Sequence, residues 1–187
     1  MLIGCLGWGS LVWDPRNLPI QGPWFTDGPL LPIEFARQSR DDRITLVLVP
    51  GRPLVRSLWT VLSVVNLREA RAALGQREGM RGQGVQRRIG AWARGDPPEG
   101  GELAERMEAW AAPLGLDAVI WTALPPRFQG VSGRVPSAWE VVAHLDALQG
   151  DARQRAEEYV RRAPRQIDTD YRRYIELKLG WAPQEPR

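Results

Sequence analysis

Two groups of residues in this 187-residue chain have the types and spacing that chemistry needs. The first is the turn Gly7-Trp8-Gly9-Ser10-Leu11, which follows an apolar run from Leu2 to Leu6 long enough for a buried strand. Two glycines in such a turn can take up backbone conformations closed to other residues, and the turn can then aim amide N–H groups at an anion or a polarised carbonyl. The second is Glu78, in Leu74-Gly75-Gln76-Arg77-Glu78-Gly79, where a helical pattern runs out. A carboxylate near a helix end is ordinarily solvated. In a partly desolvated pocket a carboxylate can instead take a proton from a nucleophile and return it to a leaving group.

The other reactive side chains are weaker candidates. Ser10 would need a base to become a nucleophile, and the only histidine, His144, lies mid-helix with no triad around it in the sequence. Cys5 sits in the apolar strand and reads as a small core residue. As the single cysteine, it excludes an internal disulfide and cysteine-type zinc sites. Asp27, Glu34 and Arg37 could form a polar site beside the turn, although charges on alternating strands are mostly solvated. Of nine tryptophans, most belong to core and rim, while Trp8, Trp13 and Trp24 could line a pocket mouth. A dinucleotide fingerprint needs a third glycine where Val12 stands, and a phosphate-binding P-loop needs a lysine that the N-terminal half lacks.

The elements that must position these residues can be read from periodicity. After the first strand, Pro32–Ala36 and Ile44–Val49 flank the polar turn 39–43 as a hairpin, and Ser57–Val65 is a further strand. Asn66 caps a helix in which Glu69 completes a capping box; Leu67, Ala70 and Leu74 form its apolar stripe, and Gly75 loosens or stops it. Gln86–Trp92 reads as a strand, Leu103–Ala112 as a helix and Ala118–Ala123 as a buried strand. The C-terminal third is helical: Ser137 and Glu140 form a capping box, Asp151 caps a second helix with Ala152, Ala156, Tyr159 and Val160 inward, and a last helix runs from Asp170 to Leu179 before Gly180. Strands come mostly in succession and helices mostly later, which predicts an α+β fold rather than a doubly wound parallel sheet. With no repeats and no long linker, a single domain over 1–187 is the simplest partition.

The net charge is +3 and the sequence pI about 9.6, but basic and acidic residues are interspersed. Lys178 is the only lysine, so the positive charge is nearly all arginine, an imbalance that reads first as compositional bias. The stretch Arg81–Arg94 is the most basic, and its alternating pattern suggests a solvated strand face. No apolar segment approaches membrane-spanning length, and the start reads as a short strand with no basic region before it, so neither a signal peptide nor a membrane partner is expected. A cytoplasmic protein is the expectation.

The N-terminal turn with its continuation Leu11-Val12-Trp13-Asp14-Pro15 resembles the Tyr-Gly-Ser-Asn/Leu loop of the γ-glutamylcyclotransferases, most closely in the glutathione-specific branch. Leu74–Gly79 is similar to the helix end that carries that family's catalytic glutamate, and Glu78 is the matching residue. Further agreement lies in Phe35-Ala36-Arg37-Gln38-Ser39, in Pro50-Gly51-Arg52, in Arg88 at the opening of the strand after Glu78, and in Pro136-Ser137. The chain departs from the family where Trp8, Val85 and Trp139 stand at positions that can carry tyrosine.

The resemblance implies a γ-glutamylcyclotransferase-like fold, a small twisted or barrel-like sheet surrounded by helices. It also implies release of 5-oxoproline from a small γ-glutamyl amine or peptide. Glu78 would be the general acid/base, and Gly7, Trp8, Gly9, Ser10 and Leu11 would bind substrate. Because attack by the α-nitrogen on the γ-carbonyl is intramolecular, the protein need only hold the ring-closing conformer, move a proton and stabilise an oxyanion. No cofactor and no metal is called for. A catalytically silent small-molecule binding or regulatory protein on the same fold is the alternative. A nucleic-acid binder ranks last, because the arginines form no clear stripe and no recognition motif is present. The oligomeric state is left open.

Overall fold

The computed structural model describes residues 1–80, 82–95 and 101–184. Over these residues the chain is mixed α+β, with eleven strands and six helices in open sheets, none of which closes into a barrel. The chain passes back and forth between two compact units. One is drawn from residues 1–7, 14–31 and 56–124; the other is drawn from 8–13, 32–55 and 125–187. Two-residue strands, β3 (Leu30–Leu31) and β6 (Val55–Arg56), stand where the chain leaves and re-enters the first unit.

The first unit is built on a five-stranded sheet of β1 (Ile3–Gly7), β2 (Ile20–Phe25), β7 (Leu58–Leu62), β8 (Ile89–Ala93) and β9 (Ala118–Thr122), in the order β2-β7-β1-β9-β8. All five residues of β1 are buried because it lies at the sheet's centre. It pairs antiparallel with β7 from Ile3↔Leu62 to Gly7↔Leu58, and parallel with β9 from Ile3↔Ala118 to Cys5↔Ile120. Three helices complete the unit: α1 (Leu67–Arg77), α2 (Gln83–Arg88) and α3 (Glu102–Ala111).

Helix α1 begins as its sequence predicts, with the Asn66 side chain accepting from the Glu69 amide. The reciprocal bond is displaced by one residue, since Glu69 Oε2 accepts from the Val65 N–H and not from that of Asn66. Gly75 does not stop the helix. A side chain there would meet Val85 Cγ2 at 2.7 Å, so the glycine serves close approach, and α1 continues to Arg77. The expected strand Gln86–Trp92 is corrected at its front. Residues 83–88 are helical, Arg88 closes α2, and the strand begins at Ile89. Of the basic stretch, Arg81 lies outside the described residues.

The second unit contains a four-stranded sheet of β4 (Ile33–Gln38), β5 (Ile44–Leu48), β10 (Arg127–Phe128) and β11 (Val131–Ser132), ordered β11-β10-β4-β5. The β4–β5 hairpin is the predicted one, with a register shift between Phe35 and Arg37. Helices α4 (Ala138–Ala147), α5 (Gly150–Arg162) and α6 (Asp170–Leu179) belong to this unit. The Ser137–Glu140 capping box is present in both directions. Asp151 is not a cap: α5 starts at Gly150 after Gln149, and Asp151 lies in its first turn, where a carboxylate suits the helix dipole.

Arg172 on α6 is 2% exposed. Its guanidinium donates to the carbonyls of Val160, Ala163, Pro164 and Ile167, at the end of α5 and in the segment after it. Burial lowers its pKa to about 10, against the favourable charges of Asp168 and Glu176.

Candidate functional site

In the first unit, Glu78 is the C-cap of α1, and the turn that carries it has a defined hydrogen-bond pattern. The Glu78 N–H donates to the Leu74 carbonyl, that of Gly79 to Gln76, and that of Met80 to Gly75. Gly79 has φ +69. These crossed bonds with a left-handed residue after the cap form a Schellman motif, a conformation glycine adopts without strain. The Glu-Gly pair read from the sequence thus has a backbone reason: the glycine ends the helix so that the glutamate is its C-cap.

The Glu78 side chain is 18% exposed, and its Oε1 is paired at 2.6 Å with Nη1 of Arg77, itself 6% exposed. Arg77 is anchored in turn, donating from Nε at 3.2 Å and from Nη2 at 2.7 Å to the Asp14 carbonyl. Arg16 donates to the Arg77 carbonyl. Oε2 of Glu78 has no hydrogen-bond partner among the described residues. Cys5, fully buried in β1, senses this pair. Burial pushes its thiol far up, the Glu78 carboxylate raises it further, and Arg77 opposes. Such a thiol stays protonated and inert, in keeping with its expected core role.

In the second unit, residues 8–13 form the N-terminal turn, closed by the Val12 N–H donating to the Gly9 carbonyl at 2.9 Å. Trp8 is 5% exposed and its indole N–H donates to the Leu46 carbonyl; Leu11 is also buried, and Ser10 is half-buried. Neither Gly7, which closes β1 in the first unit, nor Gly9 has a positive φ, so the glycines are not there for unusual backbone angles. For Gly9 the reason is space. A Cβ would overlap the Tyr159 hydroxyl, which accepts a hydrogen bond from the Leu46 amide. Tyr159 also meets Trp13 edge-on at 5.5 Å and lies under the Arg43 guanidinium.

Other sequence candidates fall elsewhere. Asp27 accepts from the Trp59 indole in the first unit; Arg37 donates to the Pro125 carbonyl in the second. Strand alternation predicts a solvated Glu34, yet it is 1% exposed. It lies at the α6 N-terminus, accepting from the Thr169 hydroxyl at 2.5 Å and the Phe35 amide at 2.8 Å on Oε1, and from the Tyr171 amide on Oε2. Burial pushes its pKa up, outweighing these three donors and the charge of Arg52. Alternation fails as a signal because α6 covers the face of β4 that Glu34 occupies. His144 is half-buried with Nε2 against the Asp42 carbonyl, Val85 packs on Gly75, and Trp139 is 68% exposed.

Sequence reasoning misses Arg77 and Tyr159 as site-forming residues. Arg77 is hidden by adjacency to Glu78, since neighbouring helix residues ordinarily point apart. Helical spacing turns Tyr159 inward, as observed, but cannot name its partner, which lies some 150 residues away along the chain. Among the described residues, no group of three His, Cys, Asp or Glu could hold a metal ion, and no helix is long and apolar enough to cross a membrane. Compared with protein-family models, with curated proteins and with solved structures, the chain finds no match in any of the three.

Proposed function

We propose that the protein is a γ-glutamyl cyclotransferase, releasing 5-oxoproline from a small γ-glutamyl amine or peptide with Glu78 as general acid/base. The observation that carries this reading is the state of the Glu78 carboxylate. It is fixed at the end of α1 with Oε1 on Arg77, while Oε2 has no hydrogen-bond partner among the described residues. A shielded carboxylate with one oxygen held and the other open is equipped to accept a proton from a defined direction. The sequence resemblance at Leu74–Gly79 and at the N-terminal turn supplies the substrate class.

In the reaction, the α-nitrogen of the γ-glutamyl group bonds to its own γ-carbonyl carbon, and Glu78 takes a proton from that nitrogen. The bond from the γ-carbon to the amide nitrogen then breaks, and the proton passes from Glu78 to the departing amine. The ring nitrogen keeps one hydrogen, and the other proton of the starting ammonium ends on the released amine. Anion binding by the amides of Gly9, Ser10 and Leu11 is a separate assignment taken from the resemblance. Soaked glutamate or 5-oxoproline found away from that turn would overturn it without touching Glu78.

One observation favours the second reading, a binding protein without catalysis. Trp8 stands where the family has tyrosine, and its only polar group is committed to the Leu46 carbonyl. A panel of γ-glutamyl compounds assayed for 5-oxoproline decides between the two. On any substrate found, Glu78→Gln keeps the shape but not the basicity and is expected to lower turnover by at least about two orders of magnitude, with far less change in affinity. Turnover that survives this change sinks the mechanism, whereas an inactive wild type that binds the panel favours the binding protein.

A further inference from the structure

A cavity of about 600 Å³ lies in the first unit, lined by α1 and the segment that leads through Gly82 into α2. Neither Arg77 nor Glu78 lines it. Its volume is in the range that holds small-molecule ligands. The lining divides into two chemistries. Leu67, Met80 and Val85 offer apolar surface, and Arg68 and Arg71 bring two guanidinium groups, with the Gln76 amide beside them.

The two arginines are one helical turn apart on α1, a spacing of about 5–6 Å between their Cβ atoms, so both can serve one small anion. Neither has an ion pair or hydrogen bond with another described residue. The nearest acidic residue in sequence, Glu69, is engaged by the Val65 amide. The Arg71 Nε–H is buried with no hydrogen-bond partner among the described residues, a state it shares with the Nε–H groups of Arg161 and Arg172. Arginine's planar fork suits carboxylates and phosphates in particular.

We propose that this cavity binds a small organic anion, a single carboxylate or phosphate head on an apolar body. Arg68 and Arg71 hold the head, and Leu67, Met80 and Val85 enclose the body. The site is independent of the proposed catalysis, and its ligand is recognised by charge and apolar contact together. Neither feature alone is enough.

The test is calorimetric titration of the full-length protein with octanoate and octyl phosphate, with inorganic phosphate and octanol as the head and the body taken singly. Binding of one octyl anion per chain is expected, at least about tenfold tighter than either control, and weakened at least about tenfold by Arg71→Gln, which removes a charge-assisted contact. Ala72 also lines the cavity, and Ala72→Phe fills it without touching the charge. That variant is expected to abolish binding even if Arg71→Gln fails to fold. Equal binding of octanol or of phosphate overturns the proposal, as does insensitivity to both substitutions or no binding of either octyl anion by the wild type. Displacement of octyl phosphate by a single-stranded RNA oligomer, falling steeply with salt, would assign the arginines to a polyanion instead and would also overturn it.

Discussion

Glu78 closes α1 at its C-terminus in the first unit, and Glu34 sits at the N-terminus of α6 in the second. The helix dipole opposes a negative charge at the first place and favours it at the second, by about 0.3–1 kcal/mol in each case. The protein treats them the other way round. Glu78, at the unfavourable end, has a guanidinium in contact and keeps some exposure; Glu34, at the favourable end, has only neutral donors in contact and is almost wholly buried. Burial then dominates, and Glu34's pKa rises despite every group around it. The lesson is one of magnitudes: three hydrogen bonds and the charge of Arg52 do not outweigh the removal of a carboxylate from water.

The largest effect that could break this comparison is at Arg77. Arg77→Met keeps the length of the side chain but leaves Glu78 without its cation and the Asp14 carbonyl without two donors. Loss of one partner from a shielded pair is expected to cost about 3 kcal/mol in urea-denaturation stability. A cost below about 0.5 kcal/mol would mean that the pair is no more than an exposed surface contact.

How far the sequence could anticipate the two carboxylates differs for the same reason that their environments do. The place of Glu78 at a helix end was legible because that signal is local, and the helix end can be read from Leu74 to Gly79; its pairing with Arg77 was not. Glu34 was not, because its partners Thr169 and Tyr171 stand more than 130 residues away and no periodicity on β4 announces which helix will cover it. The fold followed the same division. The hairpin, the Asn66 and Ser137 caps and the end of α6 at Gly180 are local and appear as expected. The helical stretch 83–88 reads as alternating in sequence, and Val85 within it lies against Gly75 of α1, a contact that no local pattern announces. For the turn, the need for glycine was legible at Gly9 but its cause was not, since Tyr159 arrives from α5.

A smaller effect sharpens the picture of Glu34. Thr169→Val removes both the hydroxyl that donates to Glu34 and the oxygen that accepts from the Arg172 amide as the cap of α6. A loss of about 1–2 kcal/mol is expected, measured by thermal or urea unfolding. An unchanged stability would show that the cap is replaced by solvent and that Glu34 does not depend on it.

The smallest effect concerns pH. Because burial raises the pKa of Glu34, the folded protein binds that proton more tightly than the unfolded chain. The stabilisation is therefore full below the ordinary value of 4.5 and is lost as pH rises through the higher folded value. Glu34→Gln cannot lose a proton, so wild type should fall in stability relative to this variant across that interval. The fall should be about 1.4 kcal/mol for every tenfold by which folding tightens the hold on the proton. A difference between the two proteins that is flat with pH, or that runs in the opposite direction, would remove burial as the dominant influence on Glu34.

Arg172 gives the arginine-rich composition a meaning beyond bias at one place. Four carbonyls from the end of α5 and the segment after it converge on a single flat cation, which takes the part that solvent plays at an exposed helix terminus. An ammonium is a compact point with three hydrogens on a flexible stem, too few to meet four acceptors and too strongly hydrated to enter dry. At this corner the two basic amino acids are not interchangeable spellings of positive charge.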